Sequence, residues 1–201
     1  MNLIIASNNA NKVREIKQIL GEIFANILTL KDAGINVDVE ETGSTFLENA
    51  YIKAAEIMKI APKGYAVLSD DSGLEVDYLN GAPGVFSARY AGEGHNDKLN
   101  NEKLLSELQG VEDQARTARF VCAMVLLSDD FPPIEVVGAC EGRILHEPKG
   151  ESGFGYDPLF YYPPLQKSFA ELTAEEKNKV SHRSRALQMV RAELEKKLNQ
   201  R

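Results

Sequence analysis

The chain has 201 residues, with 23 lysines and arginines against 30 aspartates and glutamates, a formal net charge of −7. A chain of this length buries roughly 70% of its unfolded surface, so it needs no disulfide or structural metal to fold. With 43% hydrophobic and 26% charged residues it is ordinary globular material, which excludes disordered and collagen-like classes, and its acidic balance argues against a basic face held on nucleic acid.

In chain order, residues 2–6 give a short apolar strand pattern, followed by the polar loop Ser7-Asn8-Asn9-Ala10-Asn11. A helix follows with Val13, Ile16 and Leu20 on one face and Gly21 at its end. A second apolar run covers 27–30. After Gly43, Thr45-Phe46-Leu47-Glu48 fits a capping box, opening a helix whose apolar face carries Leu47, Ala50, Tyr51, Ala54, Ile57 and Met58. Strand patterns at 65–69 and 74–76 leave Asp70-Asp71 at a strand end, with a turn at Asn80-Gly81. A helix over about 97–108 uses Leu104, Leu105 and Leu108. The apolar run 120–127 reads as a strand, 129–133 as a turn rich in Asp and Pro, and 134–140 as the returning strand. Helices over about 174–180 and 183–198 close the chain. The mixture of crossover-like and hairpin-like connections predicts an α/β fold with a central mixed β-sheet and flanking helices, and no linker divides residues 1–201. Cys122 and Cys140 sit among apolar neighbours, as buried free thiols do. No apolar run is long enough to cross a bilayer, and the first seven residues lack a basic region and a cleavage site, so the expected location is the cytoplasm.

Four segments carry possible chemistry. Ser7–Lys12 joins the first strand to the first helix, where free amides and the helix dipole favour an anion and Lys12 adds a positive charge. The alternative is an Asn-rich turn that caps the helix. Ser69-Asp70-Asp71-Ser72-Gly73 places adjacent carboxylates after an apolar run, an arrangement that needs a cation or donors to offset repulsion. Mg²⁺ takes one or two carboxylates with substrate phosphates and water, so few protein ligands suffice, and Glu40-Glu41 offers a second acidic pair. Turn capping at Asp70 and a solvated face at Glu40-Glu41 are the plainer readings. Gly153-Phe154-Gly155-Tyr156-Asp157 lets backbone approach something flat, such as a purine, or makes an aromatic-lined turn. Ser181-His182-Arg183 opens the last helix with cations that oppose its dipole unless an anion or base carbonyl meets them, and Lys177 lies one helical turn upstream. His95, His146 and His182 are not spaced as a zinc site. Together these segments point to polyphosphate, a divalent metal and a flat base, with no nucleophilic residue.

These motifs, with Glu40-Glu41-Thr42-Gly43, Gly81-Ala82-Pro83-Gly84 and Ser87-Ala88-Arg89-Tyr90, run in one order from residue 7 to 183. In that order they resemble the inosine triphosphate pyrophosphatase family, whose bacterial members are XTP/dITP diphosphatases. The resemblance implies two lobes around a nucleotide-binding cleft, a homodimer, Mg²⁺ dependence, and hydrolysis of ITP, dITP and XTP to monophosphate and pyrophosphate, a house-cleaning activity. It implies that Ser7, Asn8, Asn9, Ala10, Asn11 and Lys12 hold the triphosphate, with Lys12 also catalytic. Asp71 would be proton acceptor and metal ligand, and Glu40 or Glu41 the second metal ligand, with Glu40 preferred. Ser72 would touch substrate, and Phe154, Gly155, Tyr156, Asp157, Lys177, His182 and Arg183 would surround the base, with Phe154 or Tyr156 stacking on it. Asn11 stands where the family often has glycine; asparagine tolerates positive φ better than most residues. A non-catalytic nucleotide-binding module and a septum-type pyrophosphatase for pyrimidine or modified nucleotides are the alternatives.

Overall fold

The structure, a computed structural model, describes residues 1–92, 94 and 96–199, so His95 lies outside the described residues. Strand β1 (Asn2–Ile5) pairs in parallel with β2 (Asn26–Thr29) on one side and β3 (Tyr65–Val76) on the other, Leu3 lying opposite Ile27 and Ala66. Leu3, Ile4 and Ile5 are all fully buried. A strand covered on both faces has no polar side to show, which is why it reads as an unbroken apolar run. The sheet continues through β4 (Thr117–Ser128), β5 (Phe131–Ile144), β6 (Phe160–Tyr162) and β7 (Lys167–Ser168), in the order β2-β1-β3-β4-β5-β6-β7. The β5-β6 and β6-β7 pairs are antiparallel, so the sheet is mixed as expected. The helices are α1 (Ala10–Leu20), α2 (Phe46–Met58), α3 (Asp97–Glu107), α4 (Ala174–Val180) and α5 (His182–Asn199).

The chain forms two compact units. The first comprises Met1–Asp71, Cys122–Gly138 and the chain from Arg183; the second comprises Ser72–Val121 and Ala139–His182. In the first, Ile16 and Leu20 of α1 and Leu187, Val190 and Leu194 of α5 close on Leu3, Ile5, Leu68, Met124 and Leu126 of the strands. In the second, Leu104 and Leu108 pack with Leu74, Val76, Phe120, Phe160 and Phe169. There Phe120 lies 4.6 Å from Phe160 and 5.7 Å from Phe169, ring centre to ring centre.

Two local expectations are corrected. Asp70 and Asp71 do not end a strand; β3 runs unbroken through Ser69–Gly73. Its register with β1 ends at Leu68, but β4 remains its neighbour on the other side, so polarity alone does not stop it. Likewise Phe131-Pro132-Pro133 belongs to β5 and only Asp129-Asp130 turn. The prolines are tolerated because they open the strand, far from Arg143 and Ile144 where β6 pairs.

Arg116 is the largest fully buried side chain of the second unit. Its guanidinium donates to the carbonyls of Ile144 at 2.8 Å, Leu108 at 2.7 Å and Leu145 at 2.7 Å. One planar group thus ties the end of β5 to the end of α3. Arg116→Met should remove a donor from three carbonyl oxygens, of which Leu108 keeps the Val111 amide, and lower the unfolding free energy by about 3 kcal/mol in urea titrations. Arg116→Lys should recover little, since one ammonium does not reproduce the guanidinium fork.

Candidate active site

In the first unit, α1 starts at Ala10, so Ala10 and Asn11, expected in the polar loop, already lie in the helix. Asn9 is its N-cap, its side chain accepting from the amides of Asn11 at 3.0 Å and Lys12 at 3.3 Å. The capping reading and the anion reading of this loop therefore divide the residues. Asn9 closes the helix, while Asn8 and Ala10 stay exposed beside half-buried Ser7. Asn11 lies inside the first helical turn and is not among the positive-φ residues, so replacing glycine there asks for no left-handed backbone.

Lys12 reaches from α1 to β3, its Nζ 2.9 Å from Asp70 Oδ2. Asp70 is about 1% exposed and also has Arg183 Nε at 3.5 Å. Burial alone would raise the Asp70 pKa, but Lys12, Arg183 and Lys53 outweigh it and hold the carboxyl well below the usual range. Arg183 in turn donates to Glu15 Oε2 at 2.8 Å. The cation that opens α5 against its dipole is thus met by the chain's own carboxylates, Asp70 and Glu15.

Asp71, the next residue, is shifted the other way. Burial and the nearby Glu41 charge raise its pKa, against the lowering effect of the Asn49 bond and of Lys53 and Lys12. Adjacent residues of a strand point to opposite faces, so one carboxylate meets the cations and the other meets a like charge. Lys53 of α2 forms an ion pair with Glu41 and donates to the Asp70 carbonyl at 3.2 Å. Asn49, one turn earlier on α2, is about 1% exposed and makes a bridge. Its Oδ1 accepts from the Gly43 amide at 2.7 Å, and its Nδ2 donates to Asp71 Oδ2 at 3.1 Å. The Glu41–Gly43 loop is thereby tied to Asp71. Glu41 is half-buried and Glu40 exposed. Among the described residues no three His, Cys, Asp or Glu side chains converge as a closed metal site. Two like-charged carboxylates, Glu41 and Asp71, nevertheless suit a hard cation that takes its remaining ligands from phosphate and water.

The second unit holds the aromatic turn. Gly153 has φ +84°, and a Cβ on it would run into the Asp157 carboxylate. That carboxylate, about 2% exposed, accepts from the Phe154 amide at 2.9 Å and from Lys177 Nζ at 2.5 Å. Lys177 Nζ also lies 4.9 Å from the Phe154 ring centre, within cation–π range. Phe154 is half-buried, whereas Tyr156 is core, its hydroxyl donating to the Ser87 carbonyl at 2.8 Å. The stacking expectation therefore narrows to Phe154. His182 is about 5% exposed and stacks on Phe120 at 4.7 Å and 15°. Ser72, half-buried, follows Asp71 on β3. In this unit the structure brings together Phe154, Asp157 and Lys177; in the first it brings together Lys12, Asp70, Asp71, Glu41 and Arg183.

Sequence reasoning missed Glu15, Asn49 and Lys53. For α2 a signal existed: positions 46, 49, 50, 53, 54 and 57 form one helical stripe, and Asn49 and Lys53 are its polar members. A polar residue on a buried stripe needs a partner, and here the partners are the acidic residues.

Residues 3–193 match the model of the Ham1 family. Among curated relatives, a dITP/XTP pyrophosphatase of Clostridium perfringens is 55% identical over 95% of this chain and 96% of its own length. The dITP/XTP pyrophosphatase of Bacillus subtilis is 48% identical over 96% of each. Among solved structures, the Staphylococcus aureus Ham1 protein superposes with a TM-score of 0.87 at 42% identity, covering 97% of this chain and 98% of that one. The chain belongs to the Ham1 family.

Proposed function

We propose that this protein hydrolyses non-standard purine nucleoside triphosphates, ITP, dITP and XTP, to the monophosphate and pyrophosphate. The observation that carries the proposal is the split pair on β3: Asp70 held by Lys12 at 2.9 Å and Arg183 at 3.5 Å, and Asp71 held by the neutral Asn49 amide at 3.1 Å beside the charge of Glu41. A pure binding module gains little from carboxylates placed beside polyphosphate. Pocket chemistry on the second unit supports a purine, with Phe154 as stacking face and Lys177 and His182 as donors toward a 6-oxo group. Adenine carries a 6-amino donor at that edge, so ATP is rejected strongly. Guanine shares the 6-oxo group and is rejected less, through its 2-amino group.

In this reading Ser7, Asn8, Ala10, Asn11 and Lys12 hold the phosphates, Asn9 keeps the loop shaped, and Ser72 meets the substrate beside Asp71. Asp71 orients water for attack on the α-phosphorus and takes its proton. Lys12 balances charge developing on the phosphates, and Arg183 holds Asp70 so that Lys12 stays in register. Glu41 and Asp71 would hold Mg²⁺, which supplies Lewis-acid polarisation of the phosphates when bound. We place the second metal ligand at Glu41, not Glu40, because Glu41 is the residue whose charge reaches Asp71. The reading includes a single functional domain over 1–201 acting as a homodimer in the cytoplasm; among the described residues no helix is long and apolar enough to cross a membrane.

A panel of ITP, XTP, dITP, ATP, GTP, CTP and UTP with Mg²⁺, assayed for pyrophosphate and monophosphate, tests the proposal directly. Purine 6-oxo substrates should lead. Tight binding without cleavage would favour a binding module, and a pyrimidine preference would favour the septum-type activity.

Asp71→Asn should lower kcat by about 10²–10⁴-fold, as expected when a general base is lost. The same substitution should raise the melting temperature of the ligand-free protein. The folded-state pKa of Asp71 is raised, so keeping it ionised at neutral pH opposes folding, and asparagine removes that charge while still accepting from Asn49. For the same reason kcat/KM of the native protein should fall as the pH drops through the raised Asp71 pKa, since the base must be ionised to act.

Glu41→Gln should raise the half-activating Mg²⁺ concentration about tenfold or more, while Glu40→Gln should leave it within about twofold. Equal responses of the two variants would return the assignment to Glu40 or to neither.

A further inference from the structure

The aromatic turn is gripped from α3. The Gly155 amide donates to Asp97 Oδ2 at 2.7 Å, and the Gly155 carbonyl accepts from Asn101 Nδ2 at 2.9 Å. Asp97 and Asn101 are four residues apart, so they stand one above the other on a single helix face. Both polar groups of one backbone residue are thus held by adjacent turns of a rigid element. Gly155 has φ +61° with open space where a side chain would be, so packing does not fix it. A residue so free in conformation takes its shape from its hydrogen bonds, and its neighbours on either side, Phe154 and Tyr156, take their placement from it.

The neighbouring residue of α3 holds a second segment. Asn100 Oδ1 accepts from the Ala91 amide at 2.7 Å, and its Nδ2 donates to the Ala88 carbonyl at 3.2 Å. Ser87, which receives the Tyr156 hydroxyl, lies in that segment. The Ser87-Ala88-Arg89-Tyr90 motif therefore belongs to the mounting of the aromatic turn. Asn101 Oδ1 is buried with no hydrogen-bond partner among the described residues. An amide kept at a place that leaves its oxygen unsatisfied breaks a local rule of good packing, and such breaks mark function.

We propose that Asp97 and Asn101 are positioning residues for base selection. By clamping Gly155 they set the Phe154 face and the Asp157–Lys177 pair against the 6-oxo purine, an inference that rests on the hydrolytic reading above. The test compares Asp97→Ala, Asn101→Ala and the conservative Asp97→Asn, whose amide oxygen still accepts from Gly155. Steady-state kinetics on ITP and ATP, calorimetric binding of IMP and thermal melting are read in parallel.

Both alanine variants should raise KM for ITP and weaken IMP binding about tenfold, because small misplacements of a recognition element cost this much or more. They should also narrow the ITP/ATP ratio of kcat/KM and keep kcat within about twofold, with Asp97→Asn restoring KM. Unchanged KM and IMP affinity in the alanine variants, or an Asp97→Asn variant as impaired as Asp97→Ala, would overturn the clamp. So would a loss confined to the melting temperature. If the wild-type protein neither cleaves ITP nor binds IMP, the hydrolytic reading fails and takes the clamp with it; an active wild type with unaffected alanine variants sinks the clamp alone.

Discussion

A fully buried carboxylate, Asp70, is the constraint around which the first unit is arranged. Taken out of water it is costly unless paired, and α1, α2 and α5 each deliver a cation toward it, Lys12, Lys53 and Arg183. That requirement fixes where α1 must begin, since Lys12 sits in its first turns. It also explains why α5 opens with an arginine where a helix start would ordinarily avoid one. Glu15 then completes the ring by sharing Arg183. Helix positions, strand register and charge are here parts of one electrostatic solution.

Asp71 gains its character by contrast with that neighbour. One residue further along β3, it meets the charge of Glu41, which together with burial outweighs the Asn49 bond and the pull of Lys53 and Lys12. Two carboxylates of the same type thus acquire opposite tendencies from the alternation of a strand. Asn49 matters to this division because a neutral amide can hold Asp71 in place without quenching it, whereas a lysine at that spot would pull the carboxyl down toward its neighbour's behaviour.

Much of this was legible in the sequence, and the limits have physical causes. Strong periodicity placed α1, α2 and α5, and the capping box at Thr45 and Glu48 is present as drawn. The acidic pair was legible as chemistry but misplaced as structure, because polarity suggested a chain break where β3 runs on beside β4. Strands β6 and β7 are too short for any period to show. The partners of Asp70 and Asp71 come from residues 12, 49, 53 and 183, and no local pattern reports a contact made across so much chain. Phe154 and Tyr156 look alike in sequence, and only the hydroxyl bond to Ser87 sorts one into the core.

The continuity of β3 separates Asp71 from Glu41 in how each is held. Asp71 lies inside the strand and shares its restraint. The stretch 36–43, which carries Glu41, has no helix or strand of its own and is tied to α2 by the Gly43 amide on Asn49 and the Glu41–Lys53 ion pair. Of the two carboxylates, Asp71 is therefore set by the sheet, and Glu41 by side chains that α2 sends to its loop.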